Sequence, residues 1–165
     1  MEEIYPPAYR HLWEDGGIWY LYQQYSRENL QLELAELNSH YFFIEVAKTP
    51  VGILRYLTQS SWPEDGIGNS VKLHRVYLHT NTQGTGVASV VSHWLAEQAS
   101  TIGASSIRLE VMDTQPQAIR FYEKMGYKVF GTRRLVLPGL HEHLQGMLFM
   151  EKSLVPNERH GRTAQ

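Results

Sequence analysis

The sequence predicts a mixed α/β domain, in which one mixed sheet carries packed helices and contains a single right-handed strand-helix-strand crossover. Three observations predict it. Strand-type segments rich in β-branched and aromatic residues recur from residue 40 to residue 152, separated by stripes of helical period. A strand at 71–79, a helix at 86–102 and a strand at 105–112 together require a parallel pair closed by a crossover. A chain of 165 residues, 42% apolar and 19% charged, has the size and composition of one folded domain.

Each element has a local reason. The first 25 residues are aromatic and irregular, with Tyr5, Tyr9, Trp13, Trp19, Tyr20, Tyr22 and Tyr25, and a short helix is expected over Pro7–Glu14. Ser26 caps a helix in which Leu30, Leu34 and Leu37 share one face. His40–Lys48 and Val51–Gln59 read as a hairpin turning at Thr49-Pro50. Turn formers make Ser60–Ser70 a loop, and Glu64 and Asp65 lie in it. Val71–His79 alternates as a strand. Gly86–Ile102 is a helix with an apolar stripe of Val87, Val90, Val91, Trp94, Leu95 and Ile102, stopped by Gly103. Ser105–Met112 is a strand, and Pro116 opens a helix that closes at Gly126. Tyr127–Val136 and Leu144–Lys152 are the last strands. Residues 1–154 form the domain, and 155–165 read as a polar, disordered tail.

Composition excludes several chemistries. The chain has no cysteine, so disulfides, thiolate metal sites and a cysteine nucleophile are all ruled out. A formal charge of −2 gives no footprint for nucleic acid. With no signal-like start and no apolar run near ~20 residues, no membrane partner is expected and the default address is the cytoplasm. His141-x-His143 lacks a third ligand nearby, so no metal is expected.

The turn Gln83-Gly84-Thr85-Gly86-Val87-Ala88 lies where a strand gives way to a helix. A helix N-terminus presents about four unpaired N–H groups at the positive end of its dipole. Glycines at 84 and 86 and the small Ala88 leave that end open to an anion, for which a pyrophosphate is the natural occupant. A turn that merely contains glycines is the bland alternative. A P-loop would need Gly-Lys-Ser/Thr here, and a dinucleotide site would need a small third residue at Ser89 with Glu110 as its acid.

A second cluster decides between these. Leu109-Glu110-Val111, Gln115, Ala118-Ile119 and Phe121-Tyr122-Glu123-Lys124-Met125-Gly126-Tyr127, taken with the glycine turn, resemble the Gcn5-related N-acetyltransferase superfamily. More narrowly, 28–34, 41–44 and 73–78 are similar to bacterial spermidine/spermine N-acetyltransferases of the PaiA type. The resemblance implies a mostly antiparallel central sheet with helices on both faces. It also implies acetyl-CoA, with its pyrophosphate on residues 83–88. Val76, Tyr77 and Leu78 would offer backbone groups to the pantetheine arm, and the helix with Gln115, Tyr122 and Lys124 would flank the cofactor. Two departures stand out. The superfamily's first strand has no counterpart before Tyr9, and Gln115 replaces the usual Asn.

The implied reaction is direct acetyl transfer to a small-molecule primary amine, with a polyamine such as spermidine as the favoured acceptor. A protein N-terminus or lysine is the alternative acceptor, and a non-catalytic acyl-CoA sensor the alternative class. Tyr122 is the candidate acid for the departing thiolate. Glu110 shares a strand face with Arg108 and Met112; it is either a base raised by apolar neighbours and working through water, or a carboxylate paired with Arg108 or Lys124. A backbone N–H of Arg75–Leu78 is expected to meet the oxyanion beside a β-bulge. His74 and His79 flank that strand. The aromatic start is a substrate wall, a homodimer face or ordinary core.

Overall fold

In the computed structural model, the described residues are 1–62 and 66–155. Pro63, Glu64 and Asp65 and all of the expected tail but Val155 lie outside them. The elements are α1 (Tyr5–Tyr9), α2 (Ile18–Tyr25), α3 (Arg27–Ala35), β1 (Ser39–Val46), β2 (Thr49–Trp62), β3 (Gly66–Leu78), α4 (Val87–Thr101), β4 (Ser106–Met112), α5 (Pro116–Lys124), β5 (Lys128–Arg134) and β6 (Gly146–Ser153), with short 3-10 turns between some of them.

One sheet of six strands runs in the order β1-β2-β3-β4-β6-β5. Only β3 and β4 pair in parallel, joined through α4; the other four pairings are antiparallel. The mixed, mostly antiparallel sheet follows the expectation. Two cores sit on its opposite faces. Leu54, Tyr56, Leu73, Leu109 and Val111 pack with Leu95 of α4 and with α5. On the other face Met112, Tyr77 and Met147 pack with Tyr5, Leu12 and Trp13. Side-chain alternation along β4 sends Leu109 and Val111 one way and Met112 the other.

Several details differ from expectation. No described strand precedes β1. The N-terminal segment is instead two helices, α1 with a following turn over Arg10–Leu12, then α2, which the sequence left irregular. Trp13 bridges Leu140, which pins this segment across the sheet. The predicted loop 60–70 is largely strand, because β2 and β3 continue to Trp62 and from Gly66. The leucine face of α3 is inverted: Leu34 and Leu37 are exposed, and the buried residue is Glu33. In the α4 stripe Leu95 is buried, while Val90 and Ile102 are exposed.

Candidate active site

β3 and β4 pair only from Ser70↔Ser106 to Leu73↔Leu109. Beyond that point β3 stays with β2 as far as Leu78, and β4 stays with β6 as far as Met112, so the two strands part. The backbone edge of β3 facing the gap is left free of strand pairing. A bulge accompanies the parting. Arg55 pairs with Arg75 and Tyr56 with Leu73, so His74 is an extra residue on β3.

Two cavities meet in the gap. The larger, about 310 Å³, is walled by the aromatic N-terminal residues Tyr5, Tyr9 and Trp13 with Tyr77, and also by His74, Glu110 and Arg133. The smaller, about 150 Å³, is apolar and lies under α4, against Leu78, Ala88, Val91 and Phe121. Leu73, Val76, Ala118 and Tyr122 line both.

Tyr122 therefore stands where the chambers join. It is half-buried, with its ring edge-on to Phe121 and Tyr127 at 5.4 Å from each. Burial pushes its phenol well above the ordinary tyrosine range, with Tyr9 and Tyr127 adding to the rise. Tyr9, stacked on Tyr5 at 4.8 Å, is pushed up to about 12 by burial and then by Tyr20. Tyr122 is thus held as a proton-bearing donor.

Glu110 reaches the larger cavity, but not in apolar surroundings. Lys72 Nζ lies 3.0 Å from Oε2 and Arg133 Nη2 3.0 Å from Oε1. Neither Arg108 nor Lys124 is its partner: Arg108 pairs with Glu151 at 2.8 Å. The surroundings of Glu110 are charged rather than apolar, because β3 and β5 each present a cation to it.

At the glycine turn, Gly84 (φ +74°) and Gly86 (φ +86°) adopt left-handed backbone, and nothing lies within 4 Å of a Cβ built on either. Gly86 caps α4 with no side-chain hydrogen bond. The first bond of the helix runs from Val90 N–H to Gly86 O at 3.1 Å, so the N–H groups of Val87, Ala88 and Ser89 precede it and face outward. Gln83 and Thr85 behave differently. Their N–H groups bond to Thr80 O and Thr82 O, and the Thr85 hydroxyl donates to Thr82 O at 2.6 Å. Thr85 spends both donors on the shape of the turn, and Gln83 keeps only its side chain for a ligand. This open, uncapped terminus above an apolar slot fits a pyrophosphate continued by a long apolar arm.

Two predicted contacts lie elsewhere. Gln115 Nε2 donates to Ala8 O at 3.0 Å, joining the start of α5 to α1. Lys124 is exposed in the last turn of α5 and lines neither cavity. Among the described residues no group of three or more histidine or carboxylate side chains could hold a metal ion, and no helix is long and apolar enough to cross a membrane.

A family model described as acetyltransferase (GNAT) family matches residues 1–127. The chain belongs to the GNAT acetyltransferase family. Among its relatives, an uncharacterized N-acetyltransferase of Mycobacterium bovis is 36% identical over 78 residues, covering 47% of this chain and 50% of that one. The chain thus spans about half the length of the mycobacterial relatives it matches. The uncharacterized N-acetyltransferase YjcF of Bacillus subtilis is 28% identical over 117 residues, 71% of this chain and 75% of that one. Among solved structures, PaiA N-acetyltransferase from Thermoplasma acidophilum in complex with coenzyme A superposes with TM-score 0.69 at 19% identity, over 92% of this chain and 86% of that chain. Spermidine/spermine N-acetyltransferase SpeG from Vibrio cholerae gives 0.61 at 19% identity, over 77% and 72%. At these identities the superpositions establish the shared GNAT fold.

Sequence reasoning missed three features of this site. α2 lies hidden in the aromatic run, although Asp15, whose carboxylate accepts from the Gly17 and Trp19 N–H groups at 2.8 and 2.6 Å, is a local signal for its start. A bulge was expected beside Arg75–Leu78, but its place at His74 is set by strand register. The cluster of Glu33, Arg55 and Arg75 joins three separate elements, so no local pattern carries it.

Proposed function

We propose that this GNAT-family chain transfers the acetyl group of acetyl-CoA directly to the primary amine of a small molecule. The observation that carries the reading is the meeting of an apolar slot below the open α4 terminus with a separate aromatic chamber, at a protonated Tyr122. In the reaction the amine nitrogen attacks the thioester carbonyl carbon, the carbon–sulfur bond breaks, and the thiolate takes a proton. Tyr122 supplies the hydrogen bond or proton at sulfur. A backbone N–H of β3 beyond the bulge, on the edge free of β4, meets the developing oxyanion. Water passes the proton lost by the amine towards Glu110, the one carboxylate among the described residues lining the larger cavity.

A polyamine acceptor draws support from the sequence resemblance and from the SpeG neighbour, a spermidine/spermine N-acetyltransferase. The cavity gives it little, since its carboxylate is already paired twice. The test is release of free thiol from acetyl-CoA with a panel of polyamines, monoamines, amino acids and peptides. Release with any small amine supports the proposal, and release with peptides alone assigns the chain to protein acetylation. Tight acetyl-CoA binding without release for any acceptor would establish a sensor instead.

A further inference from the structure

The larger cavity contains one polar group whose protonation the surrounding structure dictates. His74 lines that cavity as the extra residue of the β3 bulge. Its Nδ1 lies 3.0 Å from Arg55 Nη1. A guanidinium has no lone pair to offer, so Nδ1 must accept, and the single ring proton of the neutral imidazole resides on Nε2. Arg55 is not free to turn away. It is 3% exposed and also donates to Glu33 Oε1 at 2.9 Å, to Glu36 Oε2 at 2.6 Å and, through Nε, to Ser39 Oγ at 3.0 Å. Nε2 has no protein partner among the described residues and is not among the buried orphaned atoms, so it opens onto the cavity.

We propose that His74 is the fixed hydrogen-bond donor that positions the acceptor, and that the acceptor is an amine bearing an oxygen hydrogen-bond acceptor rather than a bare polycation. The inference rests on the acetyl-transfer reading above. Three features of the cavity agree with it. Nε2–H can give a hydrogen bond but cannot take the amine's proton while Arg55 occupies Nδ1. The lining is mixed, with the rings of Tyr5, Tyr9, Trp13 and Tyr77 standing beside the polar groups of Gln24, His74, Arg75 and Glu110, and this suits an amine that carries a neutral polar group. Glu110, which a second ammonium group would need, is held by Lys72 and Arg133. The charged and titratable groups in the network and cavity around the ring are Arg55 of β2, Arg75, Lys72 and Tyr77 of β3, Glu33 of α3 and Glu36 just after it, Tyr41 of β1, Tyr20 and Tyr25 of α2, Tyr5 and Tyr9 of α1, Glu110 of β4, Tyr122 of α5 and Arg133 of β5. The cations closest in effect favour the neutral ring.

Two measurements on the full chain test the proposal. Nitrogen-15 NMR of the imidazoles, with His74→Gln to assign the signal, should show His74 protonated at Nε2 alone from pH 7 down to pH 5. A proton at Nδ1, or an imidazolium at pH 6, would overturn it. The second compares matched amine pairs that differ by one oxygen (hydroxyl, ether, carbonyl or carboxylate, each a separate arm) and diamines of equal length. Wild type should favour the oxygen-bearing member by roughly 10-fold in kcat/KM, the scale of one hydrogen bond. His74→Leu should abolish that preference through the acceptor KM and leave acetyl-CoA affinity unchanged, while His74→Gln should restore part of it. Equal discrimination in wild type and His74→Leu, or a preference for diamines, would overturn the proposal even though acetyl transfer itself stands. Absence of thiol release from wild type with every amine would instead remove the acetyl-transfer reading, and the proposal with it.

Discussion

At Glu33, three hydrogen bonds converge from Arg55 and Arg75, whose residues oppose each other across β2 and β3. Two buried guanidiniums side by side would repel strongly without the carboxylate between them. Glu33→Gln is therefore expected to cost about 3–5 kcal/mol, since it strands charges rather than removing a pair; urea titration measures it, and a loss below about 1 kcal/mol would show the cluster to be well solvated. For Tyr122, loss of the hydroxyl should strike chemistry more than binding. Tyr122→Phe is expected to lower kcat about 10²-fold with acetyl-CoA affinity nearly unchanged. Glu110→Gln should lower kcat by about 10²-fold, the small end of general-base effects, because two cations already hold its oxygens. Steady-state kinetics with a saturating acceptor reads both, and an unchanged kcat in either variant takes that residue out of the mechanism. The segments that bring Tyr122 and Glu110 to one cavity were legible because their motifs are local. The partners of Glu110 were not, since Lys72 and Arg133 arrive from other strands.

Among the elements, α3 and α4 show two ways in which helical period relates to burial. In α3 the leucines at helical spacing point outward and a carboxylate points in, because the sheet opposite offers two arginines rather than an apolar surface. In α4 the period locates Leu95 correctly, yet Val90 of the same stripe is exposed. The start of α4 is the element on which cofactor binding depends. Gly86→Glu puts a carboxylate beside the first-turn N–H groups and forces a side chain into left-handed backbone, at a local cost of about 1–2 kcal/mol. Acetyl-CoA affinity by calorimetry should fall at least about 10-fold, with a smaller change in melting temperature. Unchanged affinity would place the pyrophosphate elsewhere.

Across the whole molecule, the bulge and the charge cluster couple stability to pH. Burial, then Arg75, Arg55 and Lys72, lower the His74 pKa from 6.5 to about 3. A folded-state value below the unfolded one means that the unfolded chain binds the proton first. Stability is then complete above pH 6.5 and falls as pH drops towards 3, by up to about 1.4 kcal/mol per unit. Unfolding free energies from urea titration at pH 7 and pH 5 should differ by about 2 kcal/mol more in wild type than in His74→Gln. Equal pH slopes in the two proteins would mean that His74 is protonated without hindrance when folded.

The sequence by itself determined the elements of the sheet, the crossover through α4, the glycine turn and the helix bearing Tyr122, because each is written in neighbouring residues through period, turn chemistry or capping. Only the tertiary structure decided where β3 and β4 part, which residue bulges, and which charges meet. Strand parting is set by how far two segments distant in sequence stay in register. The pairing of Glu33 with Arg55 and Arg75, and of Glu110 with Lys72 and Arg133, depends on which faces the sheet brings together. The same long-range geometry turned the aromatic N-terminal residues into a cavity wall and gave His74 its proton at Nε2.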